Sequence, residues 1–222
     1  MKNRSKKYRS MEEATGPLTI LPKNDKQKEY LSAIRKFDQV FAVGPAGTGK
    51  TWLPSAYAGD LLKDNKISKL IISRPNVPAG KSLGFFPGEL GEKMAPWVSP
   101  ITCTLKERLG ASHFDLCVKR GKIEVVPFET MRGRSFENSF ILVDEAQNLT
   151  EEEMFMLLTR IGEGSKLIVS GDVDQADIKC KLGLSKAIHL ISKKDLPVGV
   201  VYFTADDIVR SDACMRWVKA WG

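Results

Sequence analysis

The stretch Gly44-Pro45-Ala46-Gly47-Thr48-Gly49-Lys50-Thr51 constrains this chain more than any other. It follows the pattern G-x-x-x-x-G-K-[ST], and its flanks supply the order that pattern needs. Residues 37–43 (FDQVFAV) are short, aromatic and β-branched, as in a buried strand, and Trp52 to Lys63 reads as a helix. Gly44, Gly47 and Gly49 let the backbone take positive φ, so that N–H groups converge on phosphate oxygens with no Cβ in the way. The helix start adds its positive dipole end. In such a loop Lys50 meets the β- and γ-phosphates and the Thr51 hydroxyl ligates Mg²⁺. With glycine at about 7% of residues, the four fixed positions arise by accident in roughly one chain of this length in a hundred. A second motif is therefore needed.

Phe140-Ile141-Leu142-Val143-Asp144-Glu145-Ala146-Gln147 supplies it. A continuous apolar run indicates a strand buried on both faces, as in a parallel sheet. Two carboxylates at its carboxyl end are costly unless they have a use. Asp144 is placed to hold Mg²⁺ through water, and Glu145 to accept a proton from an attacking water. Acids merely leaving a strand for solvent would be a sufficient reading without the loop at 44–51; with it, the pair points to ATP hydrolysis.

The other elements fall into an alternating α/β series. Pro22 to Lys36 reads as a helix with Tyr30, Leu31 and Ile34 on one face and Asn24 or Asp25 as cap. Gln27, in its first turns, carries a donor and an acceptor together, as the N6 and N7 edge of adenine requires. Pro54 removes the helical hydrogen bond to the Lys50 carbonyl, which predicts a kinked or distorted first turn. Strands are expected at 69–73, 122–128, 140–143, 166–170 and 198–203, and helices after Pro100 to Leu109, after a Thr150-x-x-Glu153 capping box, over 182–192 and over 206–221. Asp172 and Gln175 follow the 166–170 strand, where Gln175 can sense a γ-phosphate. Arg132 and Arg134 form a short basic turn that suits a phosphate, a partner or plain solvent. Arg210 reads either as a salt-bridged surface residue or as an arginine finger offered to a neighbouring subunit. Ser192-Lys193-Lys194-Asp195 lacks the Asn of the guanine-reading N-K-x-D, which favours adenine.

Composition narrows partners and compartment. The net charge is +7 and the pI about 9.2, yet Lys2, Arg4, Lys6, Lys7 and Arg9 crowd into the first ten residues and the remainder is nearly neutral. We expect residues 1–16 to be a basic flexible tail, either pairing with nucleic-acid phosphates or solubilising, and residues 17–222 to be a single domain. Residues 76–91 are crowded with Gly and Pro and carry Lys81, Phe85 and Phe86. Such a loop suits single-stranded nucleic acid, because bases stack on rings while lysine meets phosphate; filling a core is the competing use of the phenylalanines. Cys103, Cys117, Cys180 and Cys214 form no C-x-x-C, and His113 and His189 lie far apart, which argues against zinc and for reduced thiols in the cytoplasm. No apolar run approaches the ~20 residues of a membrane span, and no apolar core follows the basic N-terminus as in a signal peptide.

GPAGTGKT, ISRPNVPAGKSLGFFPGEL, MRGRSFENSFILVDEAQN and SGDVDQADI, in this order, resemble the PhoH-like ATPases of bacteria and their phages, whose core is similar to that of superfamily one helicases. The resemblance covers approximately residues 20–222. It implies a RecA-like P-loop NTPase fold with a mainly parallel sheet flanked by helices, ATP and Mg²⁺ as ligands, and a role on RNA or single-stranded DNA. The family motifs map onto Gln27, Gly44 to Thr51, Asp144, Glu145, Gln147, Asp172, Gln175 and Arg210. Some members carry a PIN-type nuclease domain, for which we expect no room here. Superfamily one helicases clamp ATP between two lobes, so by this resemblance a chain with one lobe is expected to form a homo-oligomer, with a hexameric ring as the expected form. The alternative to a nucleic-acid ATPase is an ATP-dependent module that assembles or remodels a protein partner. A small-molecule kinase is disfavoured by Glu145, which suits water.

Overall fold

The computed structural model describes residues 20–75, 97–173 and 182–211, together with 213, 216, 217 and 220. The basic tail, the loop with Lys81, Phe85 and Phe86, and Gln175 lie outside the described residues.

Helix α1 (Asp25–Lys36) begins where the Asn24 side chain accepts the Gln27 N–H, and Tyr30, Leu31 and Ile34 are buried on one face. Then come β1 (Gln39–Val43), α2 (Trp52–Lys63) and β2 (Lys69–Ser73). Two consecutive helices follow, α3 (Ser99–Leu109) and α4 (Ala111–Lys119), before the short β3 (Ile123–Val125). The chain continues through β4 (Ser139–Val143), α5 (Glu151–Leu158), β5 (Lys166–Gly171), α6 (Gly183–Lys194) and β6 (Gly199–Tyr202).

The six strands among the described residues are all parallel, in the order β3-β2-β4-β5-β1-β6. A parallel sheet must be covered on both faces, and the strand residues divide accordingly. Val40, Ala42, Leu70, Ile72, Phe140, Leu142 and Ile168 pack toward α1 to α4, against Tyr30, Ile34, Leu53, Ile101, Leu105 and Phe114. Phe41, Ile71, Ile141, Val143, Leu167 and Val169 face the other way, against Met154, Leu157, Leu184 and Ile191. The expected mainly parallel sheet flanked by helices is what forms.

Three details depart from the sequence reading. The 122–128 strand is cut to Ile123–Val125, because Pro127 has no N–H for the ladder and Phe128–Thr130 close into a 3-10 turn. Helix α4 is an addition; it buries Phe114 and Cys117 one turn apart, too short a stripe to stand out. The closing helix does not start at Asp206. Ala205–Asp207 form a 3-10 turn under a Thr204–Asp207 capping box, and the Val209 N–H then donates to the Gly47 carbonyl at 3.0 Å instead of continuing a helix.

Phe140 is fully buried on the central strand β4, its ring 6.2 Å from that of Tyr57. Phe140→Ala should lower stability by about 3–5 kcal/mol in denaturant unfolding, through lost transfer energy and the cavity left behind. A loss near zero would mean that the sheet and α2 do not pack as described.

Candidate nucleotide and metal site

The parallel register brings the two motifs together. Ser73 pairs with Val143 and Val143 with Val169, while Val43 pairs with Gly171, so the carboxyl ends of β1, β2, β4 and β5 open on one edge. That edge is where open α/β sheets bind ligands. A cavity of about 590 Å³ lies there, lined by Gln27, Ala46, Gly47, Gly49, Lys50 and Thr51 of the loop side. Arg74, Thr104, Asp144, Glu145, Asp172 and Arg210 also line it. Its size is that of an ordinary small-molecule site.

The loop is drawn tight by its own side chains. Thr48 Oγ1 donates to the Pro45 carbonyl at 3.1 Å, and Lys50 Nζ reaches the carbonyls of Gly44 and, at 2.7 Å, Pro45. Burial pushes the Lys50 ammonium below its ordinary value, and the charges of Asp172, Asp144 and Glu145 oppose that push. Three loop glycines sit at close approaches, the tightest at Gly44 (φ 137°), where a Cβ would stand 2.2 Å from the Phe203 carbonyl oxygen. At Gly49 (φ 93°) a Cβ would stand 2.9 Å from the Gln27 amide nitrogen, and at Gly47 (φ 86°) 2.9 Å from Arg210 Cγ.

Helix α1 braces the loop from outside. Gln27 Nε2 donates to the Thr48 carbonyl at 2.9 Å and its Oε1 accepts the Lys23 N–H at 2.8 Å. Both ends of the amide read as an adenine contact are thus engaged with main chain, although Gln27 still lines the cavity. Pro54 sits in the first turn of α2, which runs unbroken from Trp52 to Lys63. The Lys50 carbonyl it leaves free accepts from the buried Tyr30 hydroxyl at 3.2 Å. Pro54 announces the orphan carbonyl in the sequence, but not its partner. A buried tyrosine in need of an acceptor was the available signal.

Across the cavity, Thr51 Oγ1 donates to Asp144 Oδ1 at 3.0 Å, and Ser170 Oγ of β5 donates to the same oxygen at 2.9 Å. Burial holds the Asp144 carboxyl above its ordinary value of 3.8, the two hydroxyls pulling the other way and Glu145 adding to the rise. A buried carboxylate served by hydroxyls, with a second hard oxygen 3.0 Å away, fits a hard divalent cation. Among the described residues no cluster of three or more His, Cys, Asp or Glu forms a protein-only cage.

Glu145 takes a left-handed conformation (φ 55°, ψ 37°), uncommon for a residue with a Cβ and costing about 1–3 kcal/mol. Its Oε2 accepts from Gln147 Nε2 at 2.6 Å, and Gln147 Oε1 in turn accepts the Asp172 N–H at 3.0 Å. Its Oε1 lies 3.3 Å from Arg74 Nη2. Arg74 lies in the ISRPNVPAGKSLGFFPGEL stretch, which by itself gives it no role; it follows β2, and the pairing of β2 with β4 reveals that it stands beside Glu145. Arg132 and Arg134 do not line the cavity; Arg134 pairs with Glu124 at 2.9 Å and lies over the Phe136 ring.

A family model described as PhoH-like protein matches residues 19–222. The chain belongs to the PhoH family. This PhoH family member is 42% identical over 207 residues to Protein PhoH of Escherichia coli (strain K12), covering 91% of this chain and 58% of that protein. It is 42% identical over 197 residues to the PhoH-like protein of Bacillus subtilis (strain 168), covering 88% and 61%. It therefore spans about three fifths of the length of these curated relatives. In structure it is similar to the large terminase of a thermophilic bacteriophage, with TM-score 0.58 and 14% identity over 91% of this chain and 51% of the terminase. The same terminase in complex with ATP-gamma-S gives TM-score 0.56 and 14% identity over 89% and 49%. At such identity the likeness speaks for the fold, a RecA-like P-loop NTPase sheet, as expected.

Because Asp144 is held above 3.8, ionising it in the folded chain carries a penalty that the unfolded chain does not share. The folded state takes up the proton first as pH falls, so the penalty is full at high pH and fades toward 3.8. Without Mg²⁺, Asp144→Asn should melt above the wild type at neutral pH, and the advantage should shrink on acidification. Thermal unfolding across pH checks this, and a neutral-pH melting point at or below wild type would contradict it.

Proposed function

We propose that this chain is a Mg²⁺-dependent ATPase acting on single-stranded RNA or DNA as a homo-oligomer. The observation that carries the reading is the contact between Thr51 and Asp144, with Glu145 next in sequence and facing the same cavity as Lys50. The terminase complex with ATP-gamma-S supports nucleotide as the ligand of this fold.

In this reading the loop N–H groups and Lys50 bind and orient the β- and γ-phosphates. Thr51 and Asp144 would hold Mg²⁺, which would supply positive charge against the phosphates. Glu145, fixed through Oε2 by Gln147, presents its carboxylate to the attacking water and accepts its proton. Asp172 lines the cavity beside Lys50, and its backbone N–H ties β5 to Gln147. Arg210 lies over Gly47 of its own loop. That placement favours a contact to the nucleotide bound by the same chain over a finger reaching a neighbour. Gln175 keeps its assignment as a γ-phosphate sensor from the family motif.

Lys50→Ala should abolish tight ATP binding. Glu145→Gln should keep binding and lower turnover about 10²–10⁴-fold, the usual worth of a positioned base. Wild-type turnover should rise when single-stranded RNA or DNA is added at a stated, low salt concentration. Equal loss of binding in both variants would undo the residue roles, and indifference to every polynucleotide would favour the protein-remodelling alternative. Light scattering with ATP and Mg²⁺ should show an assembly, a hexamer being the expected size; a monomer would overturn the oligomeric part.

A further inference from the structure

Arg74 is a cation of the cavity to which the roles above assign nothing. It stands beside the carboxyl end of β4, lines the same cavity as Lys50 and Thr51, and has one guanidinium arm on the Trp97 carbonyl at 2.9 Å. The other arm touches Glu145 Oε1 at 3.3 Å. That contact is long and partly exposed, with side chains 28% and 38% accessible, the regime in which ion pairs are weak. The opposite oxygen of Glu145 is held by Gln147 at 2.6 Å, so the carboxylate stays in place if Arg74 leaves. A terminal phosphate carries more charge than one carboxylate and matches the guanidinium fork.

Resting on the ATPase reading, we propose that Arg74 is a γ-phosphate ligand supplied by the same chain, which Glu145 holds until a triphosphate arrives. With ADP, Arg74 stays on Glu145. With ATP its Nη2 arm passes to the γ-phosphate, and the Oε1 lone pair it occupied becomes available to the attacking water. One movement thereby couples recognition of the third phosphate to release of the base.

The test is a double-mutant cycle read by equilibrium binding, using ADP and the non-hydrolysable analogue adenylyl imidodiphosphate with Mg²⁺. Arg74→Gln should weaken the analogue about tenfold, the worth of one hydrogen bond to a charged group, and leave ADP unchanged. Glu145→Gln should tighten the analogue, partly by removing repulsion and partly by freeing Arg74. The second part should vanish in the double variant, so the gain there is smaller. Equal weakening of ADP and analogue by Arg74→Gln, or an identical gain from Glu145→Gln in both backgrounds, would overturn the proposal. Retained ADP binding reports that Arg74→Gln folds; if it does not, Arg74→Lys, which keeps the charge but loses the fork, carries the same cycle. Failure of the wild type to bind either nucleotide would be a different result, sinking the ATPase reading itself.

Discussion

The hydrogen bond from Thr51 to Asp144 is the constraint on which the rest of the site depends. It joins residues 93 positions apart in sequence, and it exists only because β5 lies between β1 and β4 and holds both in register. Ser170, on that intervening strand, donates to the same carboxylate oxygen. The sheet order therefore sets the width of the cavity, and the distance from the phosphate loop to Glu145 follows from one strand's breadth. Burial makes the arrangement costly, since Asp144 is displaced toward its neutral form. Functional sites commonly keep such a penalty because the ligand relieves it.

Much of this could be read from the chain itself, for physical reasons that differ by element. The loop at 44–51 and the acidic pair at 144–145 were legible because each residue type has one dominant use at its spacing. The buried strands were legible because a strand covered on both faces admits little but apolar residues, as in Ile71 or Ile141. The Thr150–Glu153 capping box was legible because it is a local motif with two reciprocal hydrogen bonds, and both form.

What escaped depended on contacts between distant residues. Arg74 sits in a recognisable stretch after β2, but nothing local gives it a role; its neighbour Glu145 is 71 residues away and is brought there by the β2–β4 pairing. Gln27 carries the donor and acceptor of an adenine contact, and the approach of α1 to the loop, permitted by Gly49, adds a bond to the Thr48 carbonyl that only the fold reveals; a primary amide has a second N–H beyond it. The helix expected over 206–221 does not begin at its first residues, because the Val209 N–H donates to the Gly47 carbonyl, and a tertiary hydrogen bond outweighs local propensity there.

Pro54 has a consequence beyond the helix in whose first turn it sits. By withholding one N–H it hands the Lys50 carbonyl to Tyr30, and together with Gln27 this fastens the first helix of the sheet domain to the loop at two points. Asn24, at the head of the same helix, also grips the Asp207 carbonyl at 3.1 Å. The segment that precedes the first strand could therefore be displaced only by breaking these bonds or by carrying the loop around Lys50 with it.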